Sequence, residues 1–419
     1  MSRQGGGRLR VVVFTAEVPW GMSESFVLSE LVELERRVEA LLVIPVRPAT
    51  PLFHGAEARS VAEFALCVPL LSVRVIVGAI GVTLGSPARV ARVTLELVRA
   101  SRSWWILLKN VAVLPKALYA TRLVRAFGAG HIHAHWASVP ASMAFIVSRL
   151  TGIPWSVTAH RFDIAEDNLL RVKIQSARFA RVISSRGRRE VLRIIGEPDQ
   201  PNLVELHVGT HIPPIPLDVH PSDGRPPVVV CVANLVAIKG HRYLVDACRI
   251  LRERGVSFSC QIIGAGPLRS AIERQVRDLG LDACVRVRGP VLHDEVMAML
   301  REGECDVAVL PSIRMANGAE EGIPVALMEA LAHRVPAVAT ETGGIPELLG
   351  DGAGVLVKPA SSIDLANALE RLLADPVGRA ALAGTGRRRI ERDFNGAMIA
   401  DRLVALMEPD AAVRSWTQG

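Results

Sequence analysis

Closely spaced cysteine pairs are the first feature that this 419-residue sequence lacks. Its six cysteines are scattered and form no C-x-x-C motif, which argues against a disulfide framework or a zinc cage and fits a reducing cytosol. The opening residues, MSRQGGGRLRVVVFTAE, pass from a short polar tail into a buried-strand pattern, without the apolar core of a signal peptide. We therefore expect a cytoplasmic protein.

Aromatic residues are also scarce, at 4% of the chain, and no basic stretch is interleaved with them. This composition argues against binding of single-stranded nucleic acid, and nucleic acid is not among the partners that we expect. The first strand is not followed by G-x-G-x-x-G, so a Rossmann dehydrogenase is poorly supported. The net charge of +7 favours anionic partners such as phosphates or an anionic lipid surface.

No clean transmembrane run is present. The most apolar stretch, residues 66–85, is interrupted by Arg74 and several glycines, so it favours a buried or interface helix over a membrane-surface patch, and a true span least. The next segment, 89–110, adds basic residues and two tryptophans, a mixture typical of a membrane–water boundary. Whether 66–110 is buried or binds a membrane stays open.

What the chain does contain is an alternation of short apolar runs with helical patterns, which predicts parallel strands joined by crossover helices. At this length two domains are the default. The alternation breaks where six prolines and two glycines cluster, and we interpret that stretch as a linker. The fold class is therefore α/β, with two Rossmann-like domains that face a central cleft. The predicted parts are a first domain at 1–206, the linker at 207–227, a second domain at 228–385, and a helical segment at 386–419 that packs back toward the first domain.

The stretch EEGIPVALMEA places Glu321 and Glu329 on either side of seven residues without a polar side chain. Pro324 suits the first turn of a helix, and helix N-termini attract anions. Glu321 would lie at the mouth of this site and Glu329 further along the helix, where carboxylates could accept from vicinal hydroxyls. The alternative is that Glu321 only favours the helix dipole and Glu329 is solvated.

Other loops repeat this pattern. Lys239 and Gly240 follow the first strand of the second domain, where a lysine supplies a positive charge for phosphate, unless it is only a solvated loop residue. Gly264 ends a later strand in IIGAGPLR, and ETGGIPELL at 341–349 places glycines where a backbone can approach a ligand closely.

Together these segments resemble the second domain of the retaining, nucleotide-sugar-dependent glycosyltransferases of the GT-B fold, family 4. The resemblance is carried by the two glutamates in EEGIPVALMEALA together with NLVAIKGH, IIGAGPL, CDVAVLPS and TGGIPELLGDGAGVLVKP. It implies that Glu321 contacts the donor sugar, Glu329 the ribose and Lys239 the diphosphate. The further donor-binding residues that it implies are Asn234, Gly240, Gly264, Gly322 and Ile323.

One departure from the family concerns the diphosphate. Many members have Gly-Arg where this chain has Ala233 and Asn234, and that arginine binds the diphosphate. Asparagine donates a hydrogen bond but carries no charge, so we expect Arg314 or a helix terminus to compensate.

The first domain resembles the exopolysaccharide and colanic-acid-type subgroup of the same family, through EVPWGMSESFVLSEL, HIHAHWASVPASMA and TAHRFDI. His160 follows a strand and would project into the cleft, and the family histidine there touches the donor sugar near the reacting carbon. A core or loop histidine is the alternative. With Glu321 and Lys239, His160 completes the expected catalytic set. The expected acceptor and cleft residues are Ser23, Glu24, His135 and Asp163.

His131, His133 and His135 alternate, so an extended strand places all three on one face. Three imidazoles could hold zinc, but no carboxylate or cysteine is placed nearby and the family chemistry needs no metal. We expect the triplet to line the cleft floor or to pack beneath it. We expect no metal and no cofactor, with the nucleoside diphosphate sugar as a substrate.

The resemblance implies transfer of a sugar from a UDP- or GDP-sugar to an acceptor hydroxyl, with retention. Exopolysaccharide, lipid-linked glycan or glycosylated metabolite synthesis would use it, at the inner face of the cell membrane if the protein is peripheral. The alternatives are a GT-B nucleotide-sugar epimerase and a non-catalytic partner subunit. The intact site residues argue against the partner subunit, and the apolar and basic stretch at 66–110 argues against a soluble epimerase.

Overall fold

The chain folds into two compact units, which are Met1–Val208 together with Gly396–Gly419 (unit 1) and Gly209–Asn395 (unit 2). A computed structural model describes residues 9–20, 24–48, 55–214 and 224–409.

Unit 1 is built on a six-stranded parallel sheet. Its strands are β1 (Arg10–Thr15), β2 (Ala40–Pro45), β3 (His131–His135), β4 (Trp155–Ala159), β5 (Phe179–Val182) and β6 (Leu203–Glu205). Its helices are α1 (Ser25–Glu35), α2 (Ala56–Glu63), α3 (Val73–Gly85), α4 (Pro87–Ala100), α5 (Trp104–Phe127), α6 (Val139–Thr151), α7 (Arg161–Glu166), α8 (Leu170–Ser176), α9 (Ser185–Ile195) and α17 (Gly396–Met407). The strands β3, β4 and β5 are buried along their whole length, as expected for a sheet covered by helices on both faces.

Unit 2 also contains a six-stranded parallel sheet. Its strands are β7 (Val228–Val232), β8 (Ser259–Ile263), β9 (Val285–Arg288), β10 (Val307–Leu310), β11 (Ala337–Thr340) and β12 (Val355–Val357). Its helices are α10 (His241–Glu253), α11 (Arg269–Asp278), α12 (His293–Arg301), α13 (Val325–Ala332), α14 (Ile345–Leu349), α15 (Ser362–Ala374) and α16 (Pro376–Asp393). The two predicted parallel α/β sheets are confirmed.

Strand order locates the ligand-binding edge of each sheet. In unit 1 the order β2-β1-β3-β4-β5-β6 reverses direction between β1 and β3. In unit 2 the order β12-β11-β10-β7-β8-β9 reverses between β7 and β10. Open parallel sheets bind ligands beyond the carboxyl ends of the strands at such switch points, because the crossover helices diverge there.

The unit boundaries differ from those expected. The predicted division at 385/386 falls inside α16, whose Arg387 is buried and donates to the carbonyls of Ala332 and Pro213 within unit 2. Of the expected linker, residues 207–208 belong to unit 1, and unit 2 begins at Gly209, next to which the N–H of Thr210 donates to the carbonyl of Phe394 over 2.9 Å. Linker residues 215–223 lie outside the described residues.

After Asn395 the described chain returns to unit 1 as the helix α17. It packs against α1, where Arg37 Nε lies 2.7 Å from Asp401 Oδ1. Arg178 adds a second tie, since its Nε donates to the carbonyl of Leu406 over 3.1 Å.

The apolar stretch at 66–85 is helical only from Val73, because Ser72 caps α3 by accepting from the N–H of Val75 over 3.3 Å. One face of α3 packs inward through Val75, whereas Val73, Val77 and Leu84 are 78%, 59% and 77% exposed. The buried alternative is therefore wrong for this outer face.

Within the described residues, no single helix is long and apolar enough to cross a membrane. The helices α3 and α4, which are bent by 109° at their junction, are together long and apolar enough to cross a membrane, by length and composition only.

Lys116 ties α5 to the sheet of unit 1. Its side chain is 1% exposed, and Nζ donates to the carbonyls of Pro45, Val46 and Val68 over 2.6, 2.8 and 2.5 Å. A buried ammonium is tolerated only when its donors are paired, and three carbonyls achieve this here.

We predict that Lys116→Met destabilises unit 1 by at least about 2 kcal/mol, because each buried carbonyl left unpaired costs about 1–3 kcal/mol. Five of the six tryptophans lie among the described residues of unit 1, so urea unfolding followed by tryptophan fluorescence reports this unit. The control is Lys109→Met on the same helix, where the exposed pair with Glu166 contributes about 0–1 kcal/mol. Equal losses in the two variants would contradict the prediction.

Candidate functional site

Four loops converge at the carboxyl edge of the unit 2 sheet. They span 233–240, 264–268, 311–324 and 341–344 and follow β7, β8, β10 and β11. Since β7 and β10 flank the switch point, the first and third of these loops lie where a ligand is expected.

Backbone contacts hold these loops together. Gly240 has a φ of +65°, and a Cβ at this position would lie 2.0 Å from the carbonyl oxygen of Pro311. A Cβ at Gly264 would lie equally close to the carbonyl oxygen of Ala233. The glycines therefore permit contact between neighbouring loops, a role that the sequence did not predict.

The same holds for the glycine pair after β11. Gly343 has a φ of +58°, and a Cβ there would lie 1.8 Å from the carbonyl oxygen of Glu321. A Cβ at Gly344 would lie 2.8 Å from Cγ1 of Ile323 and 3.1 Å from the backbone of Gly322. The absence of a Cβ at these glycines permits close contact with the loop that carries Glu321, and the approach of a ligand to them stays a prediction.

Glu321 and Lys239 are in direct contact. Glu321 Oε2 lies 2.6 Å from Lys239 Nζ and accepts from Ser312 Oγ over 2.9 Å. Oε1 accepts from the N–H of Gly322 over 3.2 Å. The two side chains are 12% and 20% exposed, so the ion pair is partly desolvated. The structure thus joins two residues that the sequence assigned separately to sugar and diphosphate.

Lys239 keeps donor capacity beside this pair. An ammonium has three N–H groups, and Glu321 takes one. The remaining two are available to an anion that enters at the switch point.

Glu329 lies one turn into α13. Its Oε1 lies 2.7 Å from Nε2 of His293, the first residue of α12, and the glutamate is 14% exposed. Sequence reasoning missed His293. Pro324 is the N-cap of α13, one position earlier than the first helical turn that we expected.

Two residues were considered for binding the diphosphate in place of the family's arginine, namely Asn234 and Arg314. Neither is buried in the site. Asn234 is exposed on the loop after β7. Arg314, which we expected to compensate for the missing arginine, is 69% exposed and is paired through Nε with the buried carboxylate of Glu320. Because this pair uses Nε, the terminal N–H groups of the guanidinium keep donor capacity for that compensation.

Two buried polar side chains near this edge have no hydrogen-bond partner among the described residues, namely both ring nitrogens of His241 and Oγ1 of Thr342. Burial, followed by the charge of Lys239, lowers the pKa of His241 to about 4, so its ring is neutral at pH 7. Buried polar groups rarely stay unpaired, which favours a bound ligand or water beside them. In the sequence, the signal that could have indicated His241 is its position directly after Lys239 and Gly240.

In unit 1, His160 pairs with His135 at the carboxyl edge. Their Nε2 atoms are 2.8 Å apart, and the side chains are 5% and 1% exposed. Burial, then the neighbouring His135, lowers the pKa of His160 well below its usual value. Behind His135 lie the carboxylate of Glu30 and the guanidinium of Arg181, both missed by sequence reasoning.

Asp163 is buried, and its carboxylate connects two loops by hydrogen bonds. Its Oδ1 accepts from the N–H groups of His160 and Ile164 over 2.7 and 3.0 Å, and Oδ2 accepts from the N–H of Ala137. Burial raises its pKa to about 7, against the lowering effect of these N–H donors. These contacts hold the loop of His160, and the acceptor or cleft role expected of Asp163 stays a prediction.

Glu24 is also buried and accepts from backbone N–H groups, and its expected acceptor or cleft role stays a prediction. It is 1% exposed, and its oxygens accept from the N–H groups of Ala16, Glu17 and Val18 in the loop after β1. The carboxylate is therefore turned into its own loop. Ser23 lies outside the described residues.

The histidine triplet is buried along β3. His131 and His133 bond to Ser156 Oγ, each over 2.8 Å, and His133 also bonds to Thr158 Oγ1 over 3.0 Å. Among the described residues, no group of three or more His, Cys, Asp or Glu side chains is arranged to hold a metal ion.

Comparison with known proteins places this site in a family context. Residues 217–389 match the family model described as "Glycosyl transferases group 1". The chain is 37% identical over 191 residues to the putative colanic acid biosynthesis glycosyltransferase WcaL of Escherichia coli. The aligned segment covers 45% of this chain and 46% of the relative. It is 31% identical over 193 residues to a GDP-mannose-dependent alpha-(1-6)-phosphatidylinositol monomannoside mannosyltransferase of Mycobacterium tuberculosis, which covers 46% and 50%. The chain thus spans about half the length of the curated relatives that it matches.

A solved structure matches the whole fold. Anabaena Alr3699/HepE in complex with UDP superposes with a TM-score of 0.69 at 17% identity, over 94% of this chain and 98% of that one. The two parallel α/β units therefore have the GT-B fold.

We predict that Gly343→Ala disturbs the loop of Glu321 and that Gly352→Ala does not. Both glycines have positive φ, so both variants share the backbone strain of about 1–2 kcal/mol, but a Cβ at Gly352 meets nothing within 4 Å. Hydrogen exchange measured by mass spectrometry should show faster exchange across 311–324 in Gly343→Ala alone. Equal exchange in the two variants would refute the close contact.

Proposed function

We propose that this chain, whose residues 217–389 match the family model for glycosyl transferases group 1, transfers a sugar from a nucleoside diphosphate sugar to an acceptor hydroxyl, with retention. The observation that supports this best is the contact of Lys239, Glu321 and Ser312 at the switch point between β7 and β10. It combines a positive charge for phosphate with a carboxylate for hydroxyl groups at the edge where such sheets bind ligands.

The donor occupies this edge in the following way. The diphosphate takes the two remaining N–H groups of Lys239 and lies toward the N-terminus of α13, where unpaired backbone N–H groups favour an anion. Glu321 keeps Ser312 as a partner and turns its other lone pairs to the sugar hydroxyls. Glu329 accepts from the ribose hydroxyls in exchange for His293.

Catalysis rests on charge stabilisation. The bond between the anomeric carbon and the phosphate oxygen breaks, and the acceptor oxygen bonds to the same face of that carbon. The departing phosphate oxygen takes the proton of the acceptor hydroxyl. Lys239 stabilises the negative charge that develops on the diphosphate, without a metal ion in the proposed scheme. For His160, the contact with the sugar that the resemblance implies stays a prediction.

The product class follows from the relatives. One is named for colanic acid synthesis and the other for a phosphatidylinositol monomannoside, so we propose a polysaccharide or lipid-linked acceptor. The donor is a UDP- or GDP-sugar.

We predict that Glu329→Ala and Glu321→Ala separate binding from turnover. Glu329→Ala should weaken UDP or GDP binding in calorimetry by about 1.5–3 kcal/mol, because it loses a charged hydrogen bond to the ribose. Glu321→Ala removes no direct contact to the bare nucleotide, which has no sugar, so it should weaken that affinity less than Glu329→Ala does, and it should lower turnover by about 100-fold or more.

Turnover is measured as donor hydrolysis across UDP-glucose, UDP-galactose and GDP-mannose. Glu295→Ala, which removes an exposed acid on α12, is the matched control and should change neither quantity. Normal turnover in Glu321→Ala would refute its sugar contact. A wild-type protein that releases an epimerised sugar would support the epimerase instead.

We also propose that unit 1 docks on an anionic membrane surface through the outer face of α3, α4 and the start of α5. Apolar side chains on this face are exposed, with Val73 at 78%, Trp104 at 63% and Trp105 at 58%. Exposed arginines accompany them at positions 74, 89, 92 and 99. An open groove of about 680 Å³ between α3 and α5 has apolar walls and includes Arg74 and Arg122. Tryptophan and arginine together are typical of side chains at a membrane interface.

We predict that the protein sediments with vesicles that contain phosphatidylglycerol more than with neutral phosphatidylcholine vesicles, and that salt weakens this binding. Replacing Trp104 and Trp105 by serine should lower binding to anionic vesicles at least about threefold. Val377→Ser removes an apolar side chain that is 80% exposed in unit 2, and this control should bind normally. No sedimentation with either vesicle would remove the membrane proposal.

A further inference from the structure

The groove between α3 and α5 combines apolar walls with hydrogen-bond donors. Its volume is about 680 Å³, and three of the side chains that line it carry donors, namely Arg74, Tyr119 and Arg122. The other residues that line it are apolar, namely Val73, Val77, Gly78, Leu123 and Ala126. An apolar cavity with a few convergent polar groups is typical of a site for a small amphiphilic molecule.

The three donors are not used by the protein itself. Within the described part of the chain, none of them has a hydrogen-bond or ion-pair partner. By contrast, Lys109 on the same helix pairs with Glu166. From the start of α3 to the end of α5 the sequence contains one acid, Glu96, and it pairs with Arg149. The positive charge at the groove is therefore left without a carboxylate, and an anion is the complementary ligand.

The surface around the groove is also strongly apolar. Among the described residues, 16 large apolar side chains are exposed, and 12 of them lie between Leu71 and Val111. Val73 and Val77, which line the groove itself, are 78% and 59% exposed. Exposed apolar surface concentrated in this way marks a site of interaction. A hydrocarbon chain in the groove would gain about 0.8 kcal/mol for each methylene that it buries.

The groove lies away from the edge of the sheet where substrate is expected. Lys109, near the start of α5, pairs with Glu166 of α7, and α7 begins directly after the carboxyl end of β4. Near the other end of α5, the guanidinium of Arg10, the first residue of β1, lies 4.7 Å from the ring centre of Phe127. At 1.5 Å per residue, groove positions 119–126 lie about 15–25 Å along the helix from Lys109. A molecule in the groove is therefore not placed to receive the transferred sugar.

Gly78 controls the width of the groove. A Cβ at this position would lie 2.5 Å from Cδ2 of Tyr119, so the glycine allows the tyrosine ring to pack against α3. Alanine would push the ring toward the groove or force α3 away from α5. At Gly85, the last residue of α3, a Cβ would meet nothing within 4 Å.

We propose that this groove binds one anionic phospholipid, with its phosphate at Arg74 and Arg122 and an acyl chain along the apolar walls. Guanidinium groups bind phosphate oxygens through paired N–H groups, and Tyr119 adds a hydroxyl. The site differs from docking on a membrane surface, because it holds a single lipid molecule at a fixed place and needs no bilayer. The membrane as the source of the lipid rests on the proposed docking, whereas the site itself does not.

The first experiment measures the binding of monomeric lipid to the full-length protein by calorimetry. Dioctanoyl phosphatidylglycerol, kept below its micelle-forming concentration, should bind with one-to-one stoichiometry. Dioctanoyl phosphatidylcholine, whose choline cancels the charge, and glycerol 3-phosphate, which lacks the chains, should each bind at least about tenfold more weakly. Equal binding of phosphatidylcholine would overturn the role of the arginines, and equal binding of glycerol 3-phosphate would overturn the lipid as the occupant. Absence of phosphatidylglycerol binding would overturn the proposal as a whole.

A pair of double variants tests the phosphate contact. Arg74→Gln combined with Arg122→Gln should weaken phosphatidylglycerol binding at least about tenfold. Arg89→Gln combined with Arg92→Gln removes the same charge from exposed positions on α4 that do not line the groove, so this control should bind normally. Equal losses in the two double variants would reduce the effect to general charge attraction and would overturn the site.

A pair of glycine variants tests the path of the chain. Gly78→Ala should weaken phosphatidylglycerol binding at least about threefold, because it narrows the groove, and Gly85→Ala should not. Alanine favours a helix over glycine at both positions, so lost helix stability does not account for a difference. Normal binding in Gly78→Ala would show that the chain lies elsewhere.

Hydrogen exchange measured by mass spectrometry tests the separation from the substrate edge. Phosphatidylglycerol should slow exchange across 73–81 and 119–126 and leave 136–138 and 160–166 unchanged. Slower exchange at 136–138 and 160–166 instead would place the lipid at the carboxyl edge and would overturn the proposal. These measurements use neither vesicles nor a nucleotide sugar, so a failure of membrane docking or of sugar transfer would leave their results unaffected.

Discussion

The carboxylate of Glu321 is the contact on which the site of unit 2 depends. It joins the loop after β7, through Lys239, to the end of β10, through Ser312. Its own carbonyl lies against Gly343, so the loop after β11 is held by the same residue. Because Ser312 is a second partner, the loop can keep its shape when an anion takes over the lysine.

Unit 1 stabilises its strand-end loops by different means. Buried carboxylates there accept from backbone N–H groups, as Glu24 does in the loop after β1 and Asp163 does between the loops after β3 and β4. Glu30 accepts from a guanidinium instead. Such groups are stable in the interior only while every partner is present, so these loops should be sensitive to substitutions that leave one partner alone. Unit 2 relies more on glycines, whose missing Cβ atoms permit backbone contact.

The sequence predicts the sheets and much of the unit 2 site, because those signals are local. Short apolar runs that end at turn residues mark the strands. Glu321, Glu329 and Lys239 lie in motifs that are contiguous in the sequence. Glu30 could not be found in this way, since it lies in an ordinary amphipathic helix and its partner Arg181 is 151 positions away. The exposed face of α3 was also unpredictable, because an apolar run does not specify which of its faces lacks a covering helix.

The path of the chain has a consequence for synthesis. Unit 2 is contiguous, from Gly209 to Asn395. It therefore needs no segment from elsewhere in the chain and can fold as soon as it has emerged from the ribosome. Unit 1 takes α17 from residues 396–407, and this helix covers α1. During translation the surface of α1 that α17 covers therefore stays exposed until all of unit 2 has been synthesised. The half of the protein that is synthesised first is completed last.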